Sequence, residues 1–186
     1  MVVAMSEIDE HRSVLADTEQ MLALNIEPAS HLLLRTLAEG GKILTCGNGG
    51  SAAQASHLAG ELTVRFIADR RALAAVSLAS DAVALTAAGN DYGYDRVFSR
   101  QVEALGQPGD CLVGFSTSGN SRNVNEALAT AHKKGLSVLG ISGRKGFPAH
   151  TDVDLIVPSS STARIQEMHL LIVHLLLTAI EKGVPK

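Results

Sequence analysis

Residues 42–52 read Lys42-Ile43-Leu44-Thr45-Cys46-Gly47-Asn48-Gly49-Gly50-Ser51-Ala52. The stretch from Lys42 to Cys46 is short and mostly apolar, which predicts a buried strand. The glycines then turn the chain, and a helical run opens at Ser51 and extends to Phe66. A glycine turn between strand and helix presents free backbone N–H groups and the positive end of a helix dipole, a natural anion site. The same residues fit Gly-x-Gly-x-x-Ala through Gly47, Gly49 and Ala52, a degenerate dinucleotide fingerprint. That fingerprint needs an acidic residue at the end of the next strand. Ser77, Leu78, Ala79 and Ser80 stand there instead, and Asp69 precedes the strand. The anion loop is the preferred reading.

Outward from this stretch, strands and helices alternate. Further strands are predicted at 72–78, 111–115, 136–141 and 153–157. Helices are predicted from Asp81, over 98–105, 120–134 and 161–182, with a turn at Pro108-Gly109-Asp110. Upstream, Leu15, Met21, Leu22, Ile26, Leu32, Leu33, Leu34 and Leu37 give residues 6–39 helical spacing, with Pro28 breaking the run and Gly40-Gly41 ending it. Such alternation predicts an α/β fold, a three-layer α-β-α sandwich on a five-stranded parallel sheet. One domain over 1–186 is expected: N-terminal helices 6–39 packing in the oligomer, and an α/β core over 40–186.

A second loop follows the third predicted strand: Ser116-Thr117-Ser118-Gly119-Asn120-Ser121. Its hydroxyls and amides can donate to phosphate oxygens beside another helix start. Ser and Asn also favour a helix N-cap on their own account. Two such loops at the carboxyl ends of parallel strands favour a ligand, because open α/β sheets bind there.

Composition narrows the partners. Hydrophobic residues make up 46% and charged residues 19% of 186 residues, a globular balance. With 3% aromatics, no Trp and a net charge of −3, neither stacking platforms nor a basic footprint for nucleic acid is present. Cys46 and Cys111 fall in apolar runs and read as buried reduced thiols rather than a disulfide. The N-terminus shows no leader pattern. Glu167 and two histidines interrupt the longest apolar stretch, so no membrane contact and a cytoplasmic location are expected. The last helix is apolar around most of its circumference, which predicts burial against another subunit.

Together, Cys46 to Ser51, His57-Leu58-Ala59-Gly60-Glu61-Leu62, Gly89-Asn90-Asp91-Tyr92, Ser116 to Ser121, and Ala163-Arg164-Ile165-Gln166-Glu167-Met168-His169 resemble the sugar isomerase (SIS) domain family. The likeness runs from the N-terminal helices to Ile180, and it is closest to the branch that isomerises a heptose phosphate. The resemblance implies an aldose–ketose isomerase converting sedoheptulose 7-phosphate to D-glycero-D-manno-heptose 7-phosphate, toward ADP-heptose for bacterial surface polysaccharide. It implies a homotetramer with sites at subunit contacts. Carried over, Ser51, Ser116, Thr117, Ser118 and Ser121 match a phosphate cradle, with Asn48, Gly49 and Gly50 in the first loop also facing substrate. Asn90, Asp91 and Gln166 match substrate-contacting positions. His57, Glu61, Gln166 and His174 match zinc ligands, one ion per subunit, and Glu61 and His174 match the acid–base pair. Some members carry Asp where this chain has Ala163, so any role of that Asp is lost here. A non-catalytic branch that binds the replication initiator shares the 163–169 run but lacks the carboxylate and imidazole matching Glu61 and His174. This chain keeps both, which favours catalysis over a regulator that only binds a sugar phosphate or that initiator.

The chemistry suits these residue types. Aldose–ketose exchange moves one proton between adjacent carbons and another between their oxygens. Glu61 suits the carbon proton, and His174 the oxygen proton, because imidazole titrates near neutral pH. A carboxylate tightly bound to zinc is a poor base, so Glu61 stays partly free or the ion polarises the sugar while another group moves the proton. His57 and Glu61 share a helix face at i and i+4. Gln166 and His174 are eight apart, about 12 Å along a helix, so they are expected to serve one ion from different subunits, or only one of them ligates. His11, His31, His132 and His150 read as surface residues and His169 as a core or site neighbour. Arg65 reads as a surface or substrate contact, Arg70-Arg71 as a solvated loop, and Arg144-Lys145 as a pocket edge.

Overall fold

The computed structural model describes residues 2–184, with side chains from Met5 onward. Helices α1 (Val2–Leu22) and α2 (Ile26–Ala38) come first. The break between them lies at Ala23-Leu24-Asn25 and not at Pro28. Pro28 falls in the first turn of α2, where a missing N–H loses no helical hydrogen bond. Then follow β1 (Ile43–Cys46), α3 (Gly50–Thr63), β2 (Ala75–Ser77), α4 (Ala82–Tyr92), a 3-10 turn (Tyr94–Arg96) and α5 (Ser99–Leu105). The chain continues through β3 (Cys111–Ser116), α6 (Arg122–Lys133), β4 (Ser137–Gly143), β5 (Val153–Val157) and α7 (Thr162–Gly183). Asp81 caps α4, its side chain accepting from the N–H groups of Val83 and Ala84. α3 is shorter than its apolar run, and α6 starts at Arg122, leaving Asn120 and Ser121 in the loop.

All five strands are parallel, in the order β2-β1-β3-β4-β5. Chain order therefore reverses between β1 and β3, and connections leaving their carboxyl ends part to opposite sides. Both glycine- and serine-rich loops leave those two ends, so the topology brings 47–51 and 116–121 together at the switch point.

Side chains alternate between two apolar layers. Ile43, Cys111, Val113, Phe115, Ile141 and Leu155 pack toward α2, α3 and α7. Leu44, Cys46, Leu112 and Val138 pack toward α6 and its neighbours. Cys46 and Cys111 thus lie on opposite faces of the sheet, both free and buried. Burial pushes the Cys46 thiol up to about 12 and raises that of Cys111 as well.

By length and composition α7 meets the measure of a membrane-spanning helix, which corrects the expectation that no stretch reaches it. Half of its apolar window is buried within the chain, and Ile165, Met168, Ile172, Val173, Leu176 and Leu177 belong to the core. Leu170 and Leu175 remain 39% exposed. The α1 helix is tied to α7 through polar contacts. Glu167 pairs with His11 at 2.7 Å and accepts from Arg164 at 2.8 Å, and Arg164 also donates to the Glu7 carbonyl. His11 is therefore half-buried in a contact between helices, not a plain surface residue.

His169 is fully buried beside Phe115, and among the described residues neither ring nitrogen has a hydrogen-bond partner. Burial holds its pKa down, from 6.5 to about 4, and outweighs an opposing pull from the Ser142 backbone. The unfolded chain takes up this proton below about pH 6.5 and the folded chain only below about 4, so stability falls as pH drops through that window. The contribution of this one group is roughly 3 kcal/mol. Urea unfolding between pH 7 and pH 4 should show that slope, and His169→Leu should remove this part of it. An unchanged slope in His169→Leu would disprove the assignment.

Candidate active site

The first loop is shaped by what its glycines lack. Gly49 holds φ at 56°, a conformation that side chains disfavour. A Cβ on Gly50 would sit 2.4 Å from Nε2 of Gln166, so only glycine lets that amide lie on the loop. Asn48 exchanges two hydrogen bonds with Asn123 in the first turn of α6, at 2.8 and 2.9 Å. Its Oδ1 also accepts from the Tyr94 hydroxyl at 3.0 Å. This amide pair staples the first loop to the helix that the second loop opens. Ser51 is buried at the first turn of α3.

In the second loop, Ser116 Oγ lies 2.9 Å from Ser121 Oγ and 3.5 Å from Ser118 Oγ. The Gly119 N–H donates to Ser116 Oγ and the Asn120 N–H to Ser118 Oγ. Thr117, Ser118 and Asn120 line a cavity of about 270 Å³ with Arg144, Lys145, Ser159, Ser160 and Thr162. The Arg144-Lys145 pair thus brings two cations to a cavity walled by hydroxyls. Asn90 and Asp91 stand apart from it. They are hydrogen-bonded to each other on the exposed end of α4, and Asp91 edges a separate depression with Tyr92 and Arg100.

Beyond the loops, α3 and α7 bring three further residues together. His57 Nε2 lies 3.3 Å from His174 Nε2 and 3.9 Å from Glu61 Oε1. The Phe66 ring stacks on His174 with 5.5 Å between centroids and 29° between planes. Gln166, two turns before His174, meets α3 at Gly50, and its carbonyl accepts from Gln54 Nε2 at 2.6 Å. Within one chain, then, Gln166 and His174 address different levels of α3.

Residues 8–143 match the SIS domain family. A phosphoheptose isomerase of Thiobacillus denitrificans is 51% identical over 170 residues, 89% of this chain and 86% of that protein. The chain belongs to the phosphoheptose isomerase family. Its fold agrees with solved structures of that family. A phosphoheptose isomerase from Neisseria gonorrhoeae superposes with a TM-score of 0.90 at 46% identity, over 96% of this chain and 97% of the other. One from Francisella tularensis gives 0.87 at 34% identity, over 96% and 98%.

A zinc ion is expected from the family resemblance, and the donors can be tested against it. Two nitrogens at 2.0–2.1 Å from one tetrahedral ion stand about 3.3 Å apart, which is the separation of the two imidazoles. The carboxylate of Glu61 is somewhat farther off. Among the described residues, no group of three or more His, Cys, Asp or Glu closes a metal site. The imidazole pair fits an ion in donor type and spacing; it also fits a hydrogen bond in which one neutral ring donates to the other. His57 and His174, with Glu61 somewhat farther off, are the residues that would hold such an ion.

Several neighbours of the site carry no signal in the sequence. Phe66 sits in the loop after α3, and its contact with His174 depends on how that loop folds back. Arg70 corrects the expectation of a solvated loop: its side chain is 3% exposed and donates to the carbonyls of Glu61, Leu62 and Arg71. Asn123 and Tyr94 matter only through Asn48, a partner 75 and 46 residues away.

Proposed function

We propose that this chain converts sedoheptulose 7-phosphate to D-glycero-D-manno-heptose 7-phosphate, an aldose–ketose isomerisation on the way to ADP-heptose. The observation that carries the reading is the convergence of Glu61, His57 and His174, on helices that adjoin two anion-type loops, in a chain half identical to a phosphoheptose isomerase.

Each residue then has a task. Backbone N–H groups at Asn48, Gly49 and Gly50, with the hydroxyls of Ser51, Ser116, Thr117, Ser118 and Ser121, hold the phosphate at two helix starts. Arg144 and Lys145 add charge to that grip. Binding energy at the phosphate orients the reacting carbons. Glu61 removes the proton from the carbon beside the carbonyl and returns it to the neighbouring carbon. His174 passes a proton between the two oxygens. Asn90 and Asp91, on the exposed end of α4, reach substrate in this reading only when another subunit or substrate itself brings them near.

His57 and His174 are proposed to hold zinc, with Gln166 of a neighbouring subunit completing the set and Glu61, somewhat farther off, bound loosely enough to stay free as the base. The ion would polarise the sugar oxygens. A homotetramer supplies that neighbour, and the exposed Leu170 and Leu175 flanking His174 on α7 favour such a contact. A cytoplasmic location goes with a phosphorylated substrate. The alternative, a regulator that binds without turnover, is disfavoured by the retained Glu61 and His174.

The test is direct. The purified protein is incubated with sedoheptulose 7-phosphate, before and after chelation, and the aldose product is followed by NMR. Product formation that chelation abolishes and zinc restores, with zinc found in the untreated protein by elemental analysis, is the expected result. No product in the presence or absence of added zinc would sink the function; full turnover after complete zinc removal would sink the metal assignment.

A further inference from the structure

Glu181, in the last turn of α7, is bound to the loop that follows α3. Its Oε1 accepts from the backbone N–H groups of Phe66 (3.2 Å), Ile67 (3.0 Å) and Ala68 (3.2 Å), and its Oε2 from Ala68 at 3.1 Å. Its side chain is 9% exposed, and Arg70 Nε lies 3.8 Å from Oε1. Burial works to raise the Glu181 pKa, but three backbone donors and the Arg70 guanidinium outweigh it and hold the group below the usual carboxylate value.

Arg70 reaches the other way. Its terminal nitrogens donate to the Glu61 carbonyl at 2.7 Å and the Leu62 carbonyl at 3.0 Å. These carbonyls belong to the last turn of α3, where a helix leaves its acceptors without internal partners and favours a cation. One buried ion pair therefore makes two connections. Glu181 folds the loop back so that Phe66 lies on the His174 ring, and Arg70 fixes the turn from which the Glu61 side chain projects.

We infer that the Glu181–Arg70 pair is a positioning device for the isomerisation: without touching substrate, it sets the His174 imidazole against the Glu61 carboxylate. The inference rests on the reading of Glu61 and His174 as the acid–base pair. Distance between two proton-transfer groups matters steeply, since a displacement near 1 Å costs about 100-fold in rate. A loop held only by its own chain ends has no such precision.

Glu181→Gln keeps the size and removes the charge; Phe66→Leu leaves the ion pair intact and removes the ring from His174. Both are expected to lower kcat about 10- to 100-fold, with KM for sedoheptulose 7-phosphate within about twofold because the phosphate loops are untouched. Histidine-labelled ¹⁵N spectra should show the His174 resonances shifted in both variants, while the exposed His132 and His150 stay in place. Glu181→Asp should recover part of the lost kcat. Removing one member of a buried pair is destabilising, so Phe66→Leu carries the test if Glu181→Gln does not fold. Glu61→Gln serves as reference. Lost turnover in Glu61→Gln beside normal kcat and an unshifted His174 in folded Glu181→Gln or Phe66→Leu would overturn the positioning inference alone. Retained turnover in Glu61→Gln would overturn the acid–base reading and the inference with it.

Discussion

Glu61→Gln should lower kcat for sedoheptulose 7-phosphate by about 1,000-fold, within the range that a general base contributes. The amide has nearly the shape of the carboxylate but cannot take a proton from carbon. The loss should leave phosphate binding in place, because among the described residues no hydrogen bond of either anion loop involves the Glu61 side chain, whose charged contact is His57 at 3.9 Å. Calorimetric titration with the substrate should therefore give affinity within a few-fold of the parent protein. Zinc content separates the two roles proposed for the residue. Turnover lost with zinc retained makes Glu61 the base. Turnover and zinc lost together, with turnover restored by excess zinc, makes it chiefly a ligand. Unchanged turnover removes it from the mechanism.

The fold was legible because its signals are local. Apolar runs of strand length alternate with helical spacing, and punctuation falls where the chain turns: Asp81 caps α4, and Gly40 leaves α2 at a φ of 85°. The error at Pro28 came from reading proline as a breaker without asking how near it stood to a helix start. The two loops were legible for the same local reason, and the nearness that lets Asn48 bond Asn123 followed from the parallel order. His57 and Glu61 were legible as a pair because four residues make one helical turn.

Phe66, Gln54, Asn123 and Arg70 were not legible, and the reason is common to all four. Each has an ordinary local setting and gains its place from a partner more than 70 residues away, or from a loop that folds back on its own helix. Arg70 shows this best. Beside Arg71 it reads as surface charge, yet a carboxylate on α7 and two helix-end carbonyls make its burial affordable.

Gly119→Ala should damage both stability and substrate binding, and it tests whether the second loop grips the phosphate. Gly119 holds φ at 70°, where an L side chain costs about 1–2 kcal/mol. A Cβ there would also lie 1.7 Å from the carbonyl oxygen of Gly146, an impossible approach between two backbone segments. One loop must move, at a further cost of about 1–3 kcal/mol. The expected loss of stability is thus roughly 2–5 kcal/mol. Movement at Gly119 pulls on its N–H bond to Ser116 Oγ and on the wall formed by Thr117, Ser118, Asn120, Arg144 and Lys145. Losing one charge-assisted bond to phosphate should raise KM about 10- to 100-fold, because each contributes about 1.5–3 kcal/mol. Gly60→Ala is the contrast: a Cβ at that helical position meets nothing within 4 Å in the chain, and stability should rise by up to about 1 kcal/mol. Thermal unfolding and steady-state kinetics on both variants decide the matter. A folded Gly119→Ala protein with unaltered KM would place the phosphate elsewhere than in the Ser116–Ser121 loop, and the assignment of that loop would fall.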